Sequence, residues 1–160
     1  MAGVSFTIYH VGKSKTTFVR AGLEHYIKKI QPYASLSFKK LAEEPLRKGL
    51  SVGEVKRKEA ENIEKAMDNK GPVWIVLDQK GKQLPSEEFS ALIENWMVQG
   101  RSKIAFIIGG PHGISTQILK KADMVLSVSA MTFSHETMLV ILLEQLYRSL
   151  AILNHLPYPK

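Results

Sequence analysis

Residues 104–113, Ile-Ala-Phe-Ile-Ile-Gly-Gly-Pro-His-Gly, decide the fold prediction for this chain. Five apolar residues run without a break into a glycine-rich turn, which is typical of a strand buried on both faces of a parallel sheet. Parallel sheets bind ligands at the carboxyl ends of their strands, where Gly109, Gly110 and Gly113 stand. Because glycines lack Cβ atoms, these positions permit either a plain tight turn or a loop that a ligand approaches closely.

Strand and helix patterns alternate on both sides of this stretch. Apolar or alternating runs predict four further strands, at about 5–11, 34–41, 73–77 and 124–128. Helical spacing predicts five helices, at about 16–30, 51–69, 86–98, 115–121 and 134–153. The alternation indicates an α/β fold with a mainly parallel sheet and helices on both faces, in one domain spanning 1–160.

Local signals refine the ends of these elements. Thr16 or Thr17 is a candidate cap for the first helix, and Ser51 with Glu54 three residues later forms a capping-box pattern. Asp78–Lys82, which contains Gly81, is predicted to be a turn after the third strand. The helix at 51–69 has few strongly apolar residues, so we expect it to be mostly solvated.

Three predicted strand ends should meet at one edge of the sheet. They are Leu77, Gly109–Gly110 and Val128–Ser129, and a pocket built from three loops is more specific than one glycine turn. Backbone N–H and C=O groups there can recognise the edge of an adenine, while Leu77, Leu126 and Met131 can cover its faces. The sequence therefore predicts a site for a nucleoside-type cofactor.

Other kinds of chemistry have little support in the sequence. The chain has no cysteine, and its five histidines are scattered without metal-ligand spacing. It contains no Gly-x-Ser-x-Gly elbow, no phosphate-binding Walker loop, and only one glycine at the first strand–helix junction. These observations argue against a metal site, a serine or cysteine nucleophile, and a dinucleotide fingerprint.

The charge distribution points to a polyanionic partner. The net charge is +7, and residues 1–70 hold 14 Lys/Arg against 8 Asp/Glu, whereas residues 71–160 hold 8 against 7. A basic half favours RNA binding, although it also fits a solubilising surface, and residues 56–58 (Lys-Arg-Lys) allow both interpretations. No signal-peptide pattern and no apolar run of membrane-spanning length are visible, so we expect a cytoplasmic protein.

The last predicted helix, 134–153, is apolar nearly all round. A helix without a polar face must be covered on most sides, which one small domain can hardly do. The pattern therefore predicts a subunit interface, and a two-fold homodimer is the expected arrangement.

Several motifs in this order form a recognisable set: Leu77-Asp78 with Gly81-Lys82, the Ile-Gly-Gly-Pro-x-Gly run 108–113, Leu126–Thr132, His135, and Glu144–Arg148. On these motifs the chain resembles, over essentially its whole length, the ribosomal RNA large subunit methyltransferase H family. That family belongs to the SPOUT class of methyltransferases, whose α/β fold carries a deep C-terminal trefoil knot.

The resemblance implies a homodimeric enzyme that transfers a methyl group from S-adenosylmethionine to N3 of a pseudouridine in large-subunit ribosomal RNA. It implies cofactor contacts at Leu77, Gly110, Leu126, Ser127, Val128, Ser129, Ala130 and Met131. The candidates for proton removal from N3, or for stabilising the resulting charge, are His135, Arg148 and Tyr158. The knot helix would lie at the subunit interface.

The chain departs from the family pattern at three positions. Pro159 stands where the family usually has His, Ser134 where it has Pro, and Leu139 where it has Arg. The missing Arg and His keep open an alternative, a dimeric RNA-binding factor with a catalytically weak cofactor pocket. A second alternative is a SPOUT methyltransferase that acts on tRNA.

Overall fold

The computed structural model describes residues 3–47 and 49–158, so that Pro159 lies outside the described residues. The strands are β1 Ser5–Val11, β2 Ser35–Leu41, β3 Val73–Lys82, β4 Lys103–Ile108 and β5 Met124–Leu126. The helices are α1 Thr17–Ile30, α2 Val52–Met67, α3 Ser86–Val98, α4 Thr116–Lys121 and α5 His135–Leu153. The alternation of strand and helix predicted from the sequence is thereby confirmed.

The five strands form one sheet in the order β2-β1-β4-β3-β5, and all neighbouring strands are parallel. Strand β4 lies at the centre, and Ile104 to Ile108 are all buried. Phe106 belongs to one apolar core, whereas Ala105 and Ile107 belong to the other. The unbroken apolar run therefore reflects burial on both faces of the sheet, as the sequence predicted.

The helices cover both faces. Helices α1, α3 and α5 supply side chains to the core that contains Phe106, and α2 and α4 supply Ile63 and Ile118 to the core that contains Ile107. Within the described residues, no helix combines the length and apolarity needed to cross a bilayer.

Helix α5 buries most of its apolar residues within its own chain. It packs against α1 and α3, and its fully covered leucines are Leu139, Leu142, Leu143, Leu146 and Leu150. Gly22 of α1 lets the two helices approach closely, since a Cβ there would lie 3.1 Å from Val140 Cγ1. The all-round apolarity is thus explained largely by cover inside the chain, while Ile152 stays exposed and Val140 and Ile141 half-buried.

The predicted caps behave differently from one another. Ser51 and Glu54 form the full capping box: Glu54 N donates to Ser51 Oγ at 3.2 Å, and Ser51 N donates to Glu54 Oε2 at 3.0 Å. Thr16 occupies the N-cap position of α1, but its side chain makes no cap bond. Its hydroxyl donates instead to Glu136 Oε2 at 2.6 Å, which ties the start of α1 to the start of α5.

The prediction of a turn at Asp78–Lys82 is wrong, because β3 continues through these residues. The pairing with β5 shifts register between Leu77 and Lys82, both of which pair with Leu126. Within this bulge Lys80 N donates to Asp78 Oδ1 at 2.9 Å, a local bond typical of turns. The polar, glycine-containing sequence therefore encodes an irregularity inside a strand. Strand β5 in turn ends at Leu126, two residues earlier than predicted.

Candidate cofactor and active site

Residues 77–79 of β3, the segments that follow β4 and β5, and the start of α5 enclose a cavity of about 710 Å³ at the carboxyl edge of the sheet. Strands β4 and β5 end there beside β3, so the segments that follow them converge on one space next to β3. Of the predicted cofactor residues, six line this cavity, which we call the cofactor cavity after that prediction: Leu77, Gly110, Leu126, Val128, Ser129 and Met131. The structure thus brings the three predicted strand ends together around one pocket.

Two predicted cofactor residues do not line the cofactor cavity, namely Ser127 and Ala130. Ser127 is buried and faces a smaller cavity, together with Leu84 and Ser86. Its amide donates to Lys82 O at 3.0 Å and its hydroxyl to Ser129 O at 3.0 Å. Ser127 therefore fixes the shape of the segment after β5, and its side chain is directed away from the cofactor cavity.

The glycine turn after β4 is closely packed. A Cβ on Gly109 would lie 2.5 Å from Ile114 Cγ1, and a Cβ on Gly110 would lie 3.2 Å from both Glu59 Oε2 and Val11 Cγ1. Gly113 N donates to Gly110 O at 3.1 Å and closes the turn. Packing inside the protein is thus one reason for glycine at these positions, in addition to their place in the wall of the cofactor cavity.

Some cavity residues were missed by the sequence prediction. Asp78 and Gln79 line the cofactor cavity because β3 continues past Leu77, and Gln79 Nε2 is hydrogen-bonded to Thr132 Oγ1. Phe133 and Met138 also line it, next to His135. Each of these residues follows a predicted site residue within a few positions, and this closeness in sequence is the signal that could have identified it.

His135 stands at the start of α5 and lines the cofactor cavity. Ser134 caps this helix by accepting from Thr137 N at 3.2 Å, so serine serves as an N-cap at this position. The neighbouring Glu136 accepts from Thr16 and from the Lys15 amide, and these hydrogen bonds lower its pKa. His135 Nε2 is buried, and no described residue is hydrogen-bonded to it. His135 thus has a buried ring nitrogen without a hydrogen-bond partner among the described residues.

The structure separates Arg148 and Tyr158 from His135. Arg148 lies thirteen residues further along α5, about 20 Å at the helical rise of 1.5 Å per residue. Arg148 Nη2 is 2.6 Å from Glu144 Oε1, and Tyr158 Oη donates to the same oxygen at 3.0 Å. The Arg148 guanidinium also lies over the Tyr158 ring, 4.5 Å from its centroid. These two candidates form one cluster, but not with His135 in the same chain.

The protonation states within this cluster follow from its contacts. Burial, together with hydrogen bonds to Tyr26 and Glu144, raises the pKa of Tyr158 above its ordinary value. The hydrogen bond to Glu144 raises the pKa of Arg148. At neutral pH Tyr158 is therefore a neutral hydroxyl and Arg148 a cation, which suits both to hydrogen bonding and charge stabilisation rather than to proton removal.

Glu59 is a buried carboxyl group that the sequence pattern did not reveal. Its residue is only 4% exposed, it packs beside Gly110, and no described residue donates a hydrogen bond to it. Burial, with smaller contributions from the nearby carboxylates of Glu43 and Glu44, raises the pKa of Glu59 from its ordinary 4.5 to about 7. Ionising this group inside the protein is therefore costly.

Glu59 is expected to make the protein less stable as the pH rises. The folded state holds the Glu59 proton more tightly than the unfolded state, so this contribution is complete below pH 4.5 and is lost as the pH passes 7. The loss amounts to about 3 kcal/mol. Urea unfolding at pH 4.5 and pH 8 should show that Glu59→Gln gains that much stability over the wild type between the two pH values. The exposed Glu94→Gln on α3 is the control, and an equal gain there would contradict the prediction.

Within the described part of the chain, no group of three or more His, Cys, Asp or Glu side chains is arranged to hold a metal ion.

Two similar solved structures show where this fold belongs. A probable methylase family protein from Haemophilus influenzae aligns with a TM-score of 0.54 at 12% identity, covering 97% of this chain and 72% of that one. A probable methyltransferase from Bordetella pertussis aligns with a TM-score of 0.55 at 9% identity, covering 92% and 95%. At such identities these likenesses show the fold alone, an α/β fold found in proteins described as methyltransferases.

The family is shown by sequence. The family model described as "Predicted SPOUT methyltransferase" matches residues 4–159, and the chain belongs to this family of enzymes. A relative from Alkaliphilus oremlandii is 44% identical over 160 residues, covering 98% of this chain and all of its own length. Relatives from Clostridium botulinum strain Hall and Halothermothrix orenii are 42% and 39% identical over the same shares. All three are named ribosomal RNA large subunit methyltransferase H.

Proposed function

We propose that this methyltransferase uses S-adenosylmethionine to methylate N3 of a pseudouridine in large-subunit ribosomal RNA. The observation that carries the proposal is the full-length similarity, at 39–44% identity, to relatives named ribosomal RNA large subunit methyltransferase H. The basic first half of the chain supports an RNA substrate. We propose that residues 1–160 act as one SPOUT domain in the cytoplasm, with the C-terminal trefoil knot that the resemblance implies.

The cofactor cavity fits S-adenosylmethionine. Its volume of about 710 Å³ lies in the range of small-molecule sites, and it combines apolar side chains with backbone polar groups. Leu77, Leu126 and Met131 would cover the adenine, and the backbone around Gly110 and Ser129 would contact its polar edges. When bound, the cofactor supplies a methyl group on a positively charged sulfur, which is a good leaving group.

The acceptor imposes one demand on the protein, because N3 must lose its proton as it is methylated. His135 is suited to take that proton, since it lines the cofactor cavity and its Nε2 has no hydrogen-bond partner among the described residues. Arg148 and the hydroxyl of Tyr158 are suited to stabilise negative charge on the base.

Arg148 and Tyr158 reach a cofactor cavity most directly if it belongs to a second copy of the chain. Arg148 lies about 20 Å along α5 from His135, and Tyr158 packs against Arg148, which favours this arrangement over one site per isolated chain. We therefore propose a homodimer in contact through α5, whose Val140, Ile141 and Ile152 are not fully covered within the chain. In it, each active site combines the cofactor cavity of one subunit with the tail of the other.

Methylation of ribosomal RNA by purified protein tests the proposal. Large-subunit RNA from a strain lacking the enzyme should gain one methyl group per molecule on a pseudouridine, as mapped by mass spectrometry, whereas bulk tRNA should gain none. His135→Ala is expected to lower kcat about 100-fold or more, because a general base typically contributes that factor. His25→Ala, which changes an exposed histidine on α1, should retain full activity.

Two results would redirect the proposal. Methylation of tRNA alone would identify a SPOUT enzyme with a different substrate. Calorimetric binding of S-adenosylmethionine without methyl transfer to any RNA would identify an RNA-binding factor with a weak pocket.

A further inference from the structure

A second cavity, of about 480 Å³, lies beside the cofactor cavity at the ends of β1 and β2. Its wall is formed by Gly12, Lys13, Lys15, Lys40, Ala42, Glu43, His135 and Glu136. Three of these eight residues are lysines from two separate segments, which the parallel pairing of β1 and β2 brings to one edge. We refer to it as the lysine-lined cavity.

The positive charge of the lysine-lined cavity is available to a ligand. Lys13, Lys15 and Lys40 form no ion pair within the described residues. Of the two carboxylates in the wall, Glu136 is engaged by the Thr16 hydroxyl and two backbone amides. The basic run on α2 differs, since Arg57 Nη1 there is 2.8 Å from Glu61 Oε1. The cavity thus places three lysines around one concave space, and with Glu43 and Glu136 in the same wall its formal charge is +1.

His135 is the residue that joins the two cavities, because it lines both of them. Its Nε2 and the carboxylate of Glu43 both lie against Gly12: a Cβ on Gly12 would be 3.3 Å from the first and 3.0 Å from Glu43 Oε2. A ligand in the lysine-lined cavity therefore lies next to His135, which also lines the cofactor cavity.

The chemistry of the lysine-lined cavity fits a polyanion. The cofactor cavity is by itself large enough for a whole small-molecule ligand. The neighbouring lysine-lined cavity is therefore free to bind part of the RNA substrate. A nucleotide whose base enters the cofactor cavity past His135 must leave its sugar–phosphate chain outside, and lysines bind phosphates as mobile point charges.

We propose that the lysine-lined cavity binds phosphodiester groups of the RNA strand that carries the acceptor nucleotide, an inference that rests on the proposed function. Lys13, Lys15 and Lys40 contact the backbone, and the acceptor base passes His135 to reach the methyl group. These lysines position the substrate and take no part in the chemistry.

Steady-state methylation at several salt concentrations tests this assignment with Lys13→Gln, Lys15→Gln and Lys40→Gln. Each variant is expected to raise the KM for RNA about fivefold and to reduce the slope of log KM against log salt by about 1, since each loses one phosphate contact. The kcat at saturating RNA and the calorimetric Kd for S-adenosylmethionine should not change. Lys103→Gln, at the opposite, amino end of β4, is the charge-matched control and should match the wild type.

The remaining outcomes separate the two proposals. Wild-type salt slopes in all three variants would overturn the cavity assignment and leave the ribosomal RNA methyltransferase intact. Weaker binding of S-adenosylmethionine with an unchanged slope of log KM for RNA against log salt would show that the lysine-lined cavity serves the cofactor. That result would also overturn its assignment to RNA. If the wild type methylates no RNA, the proposed function fails, and the salt dependence of RNA binding by fluorescence anisotropy still tests the lysines.

Discussion

Gly81→Ala is expected to destabilise the protein by about 3 kcal/mol and to weaken cofactor binding at least tenfold. A Cβ on Gly81 would lie 2.6 Å from Val125 O, 2.7 Å from Val125 C and 2.8 Å from Leu126 C. All three are backbone atoms, so no side chain can rotate away, and the end of β5 must move from β3. Leu126 and the segment after it line the cofactor cavity, and the clash therefore reaches the site directly.

Urea unfolding and calorimetry with S-adenosylmethionine measure the two effects of Gly81→Ala. Gly53→Ala is the matched control, because a Cβ at Gly53 in α2 would meet only Ser51 Oγ, at 3.8 Å. That control should bind cofactor normally and be as stable as the wild type, or about 1 kcal/mol more stable, since alanine favours helix over glycine. Equal stability and equal cofactor affinity of the two variants would show that β5 adapts to the extra methyl group.

The sequence predicted the fold well because its local signals agree with its tertiary structure. The run Ile104–Ile108 is apolar throughout because β4 lies at the centre of the sheet with a core on each face. The same logic predicted that Leu77, Gly110 and Ser129 lie together, and they line one cavity at the carboxyl edge of the sheet. The turn predicted at Asp78–Lys82 was wrong for a physical reason. A bulge contains the same glycine and aspartate residues as a turn, and only the pairing with Leu126 distinguishes the two structures.

Long-range placement is what local patterns could not provide. Glu59 is one polar residue in a polar helix, and only the packing of α2 beside Gly110 buries it. The lysine-lined cavity combines residues 25 positions or more apart, Lys13 and Lys15 with Lys40, whose meeting depends on the pairing of β1 with β2. The resemblance to the family assigned His135, Arg148 and Tyr158 to one site, but a motif gives no information about distances. Within one chain His135 lies far from the other two residues.

Mixing two inactive variants is expected to restore methyl transfer. Alone, His135→Ala lacks the proposed base, and Arg148→Ala lacks a cationic group whose loss should lower kcat about 100-fold or more. If each active site draws His135 from one subunit and Arg148 from the other, a mixed dimer contains one site with both changes and one site with neither. Random mixing makes half of the dimers mixed, so about one quarter of the wild-type activity should return.

The same mixture distinguishes this arrangement from a site within one chain. If His135 and Arg148 served the same chain's cavity, each site of a mixed dimer would lack one group, and the mixture would stay as inactive as its components. The double variant His135→Ala/Arg148→Ala, mixed with wild type, is the control, because with a shared site each of its mixed dimers has two sites with one change each. Subunit exchange is verified by co-purification through a tag on one variant, so that absence of activity in verified mixed dimers counts against the shared site. The test discriminates because about 20 Å of α5 separates the two side chains, too far for one small base to contact both within a single chain.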